Sequence, residues 1–176
     1  LGDEAVTLSD TTLAASVLNT LDGNTSGAIN ASNITTLTGA AADLNTAYDS
    51  SGISGLANEA VTLSDTTLAA SVLNTLDGHT SGAINASNIT TLTGSAADLI
   101  TAYASGGITG LGDEAVNVSS GTASTSQATT LAAATSGVVT VTISDGDLPT
   151  LDGLTETDNA YSCLLYTSDA ADDSLR

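Results

Sequence analysis

Residues 4–23 read Glu-Ala-Val-Thr-Leu-Ser-Asp-Thr-Thr-Leu-Ala-Ala-Ser-Val-Leu-Asn-Thr-Leu-Asp-Gly, and the same twenty residues return, letter for letter, at 59–78. A third copy opens at Glu114 and decays after Ser119, so the spacing is 55 residues each time. Blocks 1–55 and 56–110 agree at 47 of 55 positions; Asn24 against His79, Asn45 against Ile100 and Asp49 against Ala104 are among the differences. A fixed period of this length marks a repeat array and takes precedence over any local reading. The chain therefore divides into repeat one at 1–55, repeat two at 56–110, a divergent third repeat at 111–161, and a tail at 162–176.

Each 55-residue block holds two similar halves. In the first, Ala5-Val6-Thr7-Leu8 reads as a strand and Asp10 as the N-cap of a helix, its carboxyl accepting orphan amides of the first turn. Leu13, Val17, Leu18 and Leu21 then share a helical face, and Gly23 stops the helix. In the second half, Ala28–Ala31 and Ile34–Leu37 read as short strands, Thr38 as a cap, Ala40, Ala41, Leu44, Ala47 and Tyr48 as an apolar helical face, and Gly52 as its close. One strand plus one helix thus recurs every 26–29 residues.

A strand, a helix and a further strand in sequence favour parallel pairing through a right-handed crossover. The expected fold is α/β: a solenoid of strand-plus-helix coils on a parallel sheet, with a helix-free parallel β-helix as the alternative. Val6, Ile34, Val61, Ile89 and Val116 are expected to stack on successive coils. Asp10 and Asp65 are expected two coils apart, roughly 10 Å at the usual strand spacing. Beyond residue 110, Val116–Val118 and Val139–Ile143 read as strands and Gln127–Thr135 as a helix. Ser144-Asp145 repeats the Ser9-Asp10 pair, Asp147 with Pro149 reads as a helix start, and Asn159-Ala160-Tyr161 begins another strand.

Composition narrows function. The net charge is −19, with one Lys or Arg against twenty Asp and Glu, which excludes a nucleic-acid surface. With four Tyr and no Phe or Trp, the core must be Ala, Leu, Val and Ile. Leu1 is not expected to be a native start, and no apolar run approaches the ~20 residues of a membrane span. The only Arg and only Cys lie in the tail. There, Cys163–Asp172 resembles the in-frame translation of a sequencing-library adapter, so residues 163–176 are expected to pack on nothing.

The phrases at 4–10, 18–23 (Leu-Asn-Thr-Leu-Asp-Gly), 37–44 (Leu-Thr-Gly-Ala-Ala-Ala-Asp-Leu) and 154–161 (Leu-Thr-Glu-Thr-Asp-Asn-Ala-Tyr) resemble tandem repeats in very large secreted or surface proteins of marine cyanobacteria. Such chains are often grouped as type I-secreted and adhesin-like. The resemblance covers essentially all of 1–161 and implies an extracellular or cell-surface structural role, with no catalytic residues to carry over.

Catalysis needs a nucleophile with a base, or a metal cluster. The only His, His79, has Asn24 as its twin and reads as a solvent-loop residue; without a second His or a native Cys there is no zinc set. Asp22 and its twin Asp77, with Asp145 and Asp147, carry oxygens that Ca²⁺ could use, but neither Asp22-Gly23-Asn24 nor Asp145-Gly146-Asp147 completes the six to eight ligands of a good site. No other cofactor is expected. The expected function is a non-enzymatic structural repeat segment, a stalk, spacer or adhesive array whose partners are its own neighbouring repeats. The alternative is a divalent-cation or glycan-binding repeat module.

Overall fold

The structure is a computed structural model that describes residues 2–146, 151, 152, 154 and 158–163. Strands and helices alternate through this length, and each strand pairs only in parallel. The first unit is β1 (Val6–Thr7), β2 (Thr12–Ala14) and helix α1 (Ala15–Gly23); the second is β3 (Ile29–Asn30), β4 (Thr36–Gly39) and α2 (Ala41–Asp49). The third has three strands, β5 (Ile53–Ser54), β6 (Ala60–Leu63) and β7 (Thr67–Ala69), before α3 (Ala70–His79). Next come β8 (Ile84–Asn85), β9 (Thr91–Gly94) and α4 (Ala96–Ala104), then β10 (Ile108–Thr109), β11 (Ala115–Val118) and α5 (Thr125–Ala134). Strands β12 (Val139–Ile143) and β13 (Ala160–Cys163) follow.

The strands form three sheets, ordered β1-β3-β5, β2-β4-β6-β8-β10 and β7-β9-β11-β12-β13. Registers run Leu13–Leu37–Val61–Ile84–Ile108 in the second sheet and Leu68–Leu92–Val116–Val139 in the third. The copies of the Glu-Ala-Val stretch make the step between sheets. Val6 to Leu13 crosses from the first sheet to the second, and Val61 to Leu68 from the second to the third. In the third copy Val116 lies in the third sheet and Ala123 bridges Ile143 of the same sheet. The first two copies therefore each move the strand surface sideways by one sheet, while the helices stay in consecutive contact, α1 on α2 through to α4 on α5.

The expected stack of Val6, Ile34, Val61, Ile89 and Val116 is corrected by this register. Val6 pairs with Ile29, whereas Ile34 and Ile89 sit in loops ahead of β4 and β9, each buried and turned back onto the main chain of Ala31 or Ala86. The strand read at Ile34–Leu37 begins two residues later, at Thr36. Leu13 lies in β2 rather than on α1, because Thr-Leu-Ala pairs with Thr36–Thr38. Asp10 and Asp65 do not stack: Asp10 lies between the first and second sheets, Asp65 between the second and third.

The core is built almost entirely of aliphatic side chains. Leu18, Leu37, Leu44, Leu73, Leu92, Leu99 and Leu131 are fully buried, one from each strand or helix it belongs to. Burial of each Leu is worth roughly 1.5–3 kcal/mol against exposure. Small Ala15, Ala41, Ala70 and Ala96 at the first helical positions let each helix begin directly against the sheet. Among the described residues no helix is long and apolar enough to cross a membrane. Cys163, the first of the residues expected to pack on nothing, completes β13 opposite Ile143. Residues 164–176 and the helix start expected at Asp147 and Pro149 lie outside the described residues.

Candidate functional site

The most buried charged side chains are Glu59 and Glu114, both 1% exposed and both the first residue of the repeated stretch. Glu59 sits at the end of the turn leading into β6. Its carboxyl oxygens accept from the Ala57 amide at 3.0 and 3.1 Å, and one also accepts from the Tyr48 hydroxyl of α2 at 3.1 Å. Its main-chain carbonyl accepts from Thr80 Oγ1 at 2.8 Å, and Thr80 Oγ1 accepts in turn from the Gly82 amide at 3.0 Å. A Cβ at residue 82 would run into that same carbonyl, so glycine is required there by close approach. Three successive units are thus joined at one carboxyl-bearing residue.

The arrangement recurs 55 residues on. Glu114 accepts from the Gly112 amide at 2.9 Å, the Asp113 amide at 3.3 Å and the Tyr103 hydroxyl, and its carbonyl accepts from Thr135 Oγ1 at 2.7 Å. Gly137 takes the place of Gly82. Burial pushes the Tyr48 and Tyr103 phenols well above the ordinary tyrosine range. The neighbouring glutamate raises each further, partly offset by a hydrogen bond with Thr80 or Thr135. Neutral phenols locked onto a carboxyl have no proton to exchange near neutral pH, and no Ser, Thr or Cys nucleophile is engaged with a base there. These bonds tie Tyr48 of α2 to the turn before β6, and Tyr103 of α4 to the turn before β11.

The residues singled out from the sequence as calcium candidates are placed apart. Asp22 Oδ2 accepts from Ser50 Oγ at 2.7 Å, and Ser50 Oγ accepts from the Gly52 amide at 3.0 Å. Asp77 does the same with Ser105 and Gly107. A Cβ on Gly52 or Gly107 would collide with the aspartate oxygen, so each aspartate side chain fills a gap in the following turn. Asp145 accepts from the Thr125 amide at 2.7 Å and from Thr125 Oγ1 at 3.0 Å, and these bonds hold its carboxyl below the usual range. Asp147 lies outside the described residues. Among the described residues, no three His, Cys, Asp or Glu gather where one ion could reach them.

His79 is not in a solvent loop. It ends α3, stacks on the Tyr48 ring at 5.5 Å between centroids with a 5° interplanar angle, and lies 3.5 Å from Asp49. In the next block the same contact is apolar: Ile100 and Ala104 replace Asn45 and Asp49. With Tyr103, Leu131 and Ala134 they line a shallow groove of about 220 Å³ between α4 and α5.

The glutamate–tyrosine pair escaped the sequence reading although both partners are exact repeats. Tyr48 precedes Glu59, and Tyr103 precedes Glu114, by the same eleven residues. That recurrence is the signal that could have found it. No known protein family, curated protein or solved structure matches the chain.

Proposed function

We propose that this chain is a non-enzymatic structural segment, a solenoid of strand-plus-helix coils that serves an extracellular or cell-surface protein as stalk, spacer or adhesive array. The observation that carries the reading is the use made of its polar groups. The side chains with catalytic or ligating chemistry, Glu59, Glu114, Tyr48, Tyr103, Asp22 and Asp77, are each bonded to an adjoining unit, and the bonds recur at the 55-residue period. Asn19 and Asn74 add equivalent ties, donating from α1 and α3 to the main chain of Asp43 and Asp98. Such a chain gains length by adding units, because each touches only its neighbours. The localisation rests on the resemblance to secreted repeats and on the acidic, Lys-free composition.

Removal of residues 56–110, which joins Gly55 to Leu111 in phase, tests it. The shortened protein should keep a cooperative thermal transition and its helical circular dichroism per residue, while small-angle scattering shows a shorter long axis. Loss of folding on this deletion would overturn the additive reading. Calorimetry with CaCl₂ on the intact chain checks the function itself: heat saturating at a fixed ion-to-repeat ratio would replace the spacer with a cation-binding module.

A further inference from the structure

The internal repeat supplies a template for a surface that is open at the first unit. On α3, Leu76 is fully buried and Val72 half-buried under α2, while their twins on α1 are open, Leu21 half-buried and Val17 54% exposed. Glu59 is buried beneath Tyr48, whereas its twin Glu4 is exposed, its carboxyl accepting from the nearby Gly2 amide. Asp65 accepts from the Ala41 amide at the start of α2, at 2.8 Å, whereas its twin Asp10 is exposed. Strand β1 has one pairing edge unused, while its twin β6 is paired on both sides. Four independent features of one face therefore stand open where the copy of that face is closed by α2 and its strands.

We infer that this face, formed by Glu4, Asp10, Val17, Leu21 and the free edge of β1, is an acceptor for one further 55-residue unit of the 1–55 kind. The inference rests on the solenoid reading above. The choice of unit comes from the helix starts. Helix α4 carries its own cap, Ser95, whose hydroxyl accepts from the Asp98 amide at 3.1 Å, and the twin of Asp65 facing it is Ser120. Helix α2 begins after Ala40, which cannot cap, and depends on Asp65. Helix α5 has both its own Ser124 cap and Asp145 on its first amide, so a cross-unit aspartate is compatible with either start; Asp10 supplies the bond that a helix starting after an alanine, as in 1–55, does not make for itself. The incoming unit would also place its Tyr48 hydroxyl on Glu4 and its Asn45 amide on the Val17 carbonyl, the counterparts of the bonds made to Glu59 and Val72.

The test compares the chain as it is with one in which a copy of residues 1–55 precedes Leu1, both carrying C163S. Thiol labelling of V17C should be fast in the original chain and at least tenfold slower in the extended one, where V72C reports the closed state in both. D10A should leave labelling of the original chain unchanged and speed it in the extended chain, and A40S in the added unit should reverse that loss by giving the incoming helix its own cap. Equal V17C labelling in both chains, with V72C protected, would overturn the acceptor face alone. V72C labelling as fast as V17C in the original chain would instead overturn the stacked-unit reading on which it rests.

Discussion

Glu59 is a carboxyl group almost wholly out of water, and what makes that tolerable is three donated bonds from two donor groups. Truncation therefore leaves the Ala57 amide and the Tyr48 hydroxyl without their acceptor inside a packed junction. Bonds to such a group are worth roughly 1.5–3 kcal/mol, so E59A should lower unfolding free energy by about 2–3 kcal/mol and E59Q by less, read from urea denaturation. An unchanged midpoint in E59A would mean the junction is held by apolar packing alone. The phenols give a second handle at this scale. Their folded-state pKa lies above the unfolded value of about 10, so folding energy from the neutral phenol is fully present below pH ~10 and declines as pH rises beyond it. Melting temperature should fall on the alkaline side, and Y48F/Y103F should flatten that limb while lowering stability at neutral pH. A wild-type limb no steeper than the double variant's would refute the assignment. The site was half legible in the sequence. Each partner was visible as a repeated letter, but pairing Tyr48 with Glu59 needs the turn geometry that brings the end of α2 over the start of β6, and composition carries no such information.

Helix caps tell a similar story one level up. From sequence, Ser9-Asp10 and Ser64-Asp65 look like N-caps of the helices that follow them. The structure reverses the direction: Asp65 caps α2, the helix before it in the chain, and Asp145 bonds the first amide of α5, which also has its own Ser124 cap. Helix α1 begins only at Ala15, with Ala14 making no side-chain cap, because Thr12–Ala14 is consumed by pairing with β4. Helical periodicity counted Leu13 with Leu18 and Leu21, and nothing local distinguishes a buried strand residue from a buried helix residue at one position. The helix bodies and strands β3, β11 and β12 were legible because several residues voted together, whereas Gly23, read as a stop, is the last residue of α1 and its twin Gly78 lies inside α3. Strands β5 and β10 were not, each offering one apolar residue, Ile53 or Ile108, in a four-residue stretch bounded by glycines. The cap assignment predicts an asymmetry between twins. D65A should cost about 1 kcal/mol, the usual worth of a cap, while D10A in this chain should cost nothing measurable. Equal effects in thermal melts would contradict capping across units.

At the scale of the molecule, charge dominates. The net charge is −19, and the ion pair that the described residues offer, His79 with Asp49 at 3.5 Å, requires a protonated imidazole. The sideways step between sheets keeps twin acids from stacking in a single column, as Asp10 and Asp65 illustrate, so no one pair concentrates the repulsion. Like charges left unpaired on the surface repel through solvent, and at 0.1 M salt that repulsion is screened beyond about 10 Å. Interactions of that range are the ones salt removes most effectively, whereas the buried contacts of Glu59 and Glu114 are shielded from it. Unfolding lets the chain expand and relieve the repulsion, so the folded state gains from screening more than the unfolded state does. Melting temperature should therefore climb as NaCl is raised from about 10 mM to 0.5 M, by roughly 2–4 °C for each kcal/mol recovered in a chain of this size. CaCl₂ at matched ionic strength should add nothing further if Asp22, Asp77 and Asp145 remain engaged with Ser50, Ser105 and Thr125. A calcium increment beyond the NaCl curve would place an ion at those aspartates. A flat or falling NaCl series would show that packing of the aliphatic core, and not the relief of acidic repulsion, sets the stability of this fold.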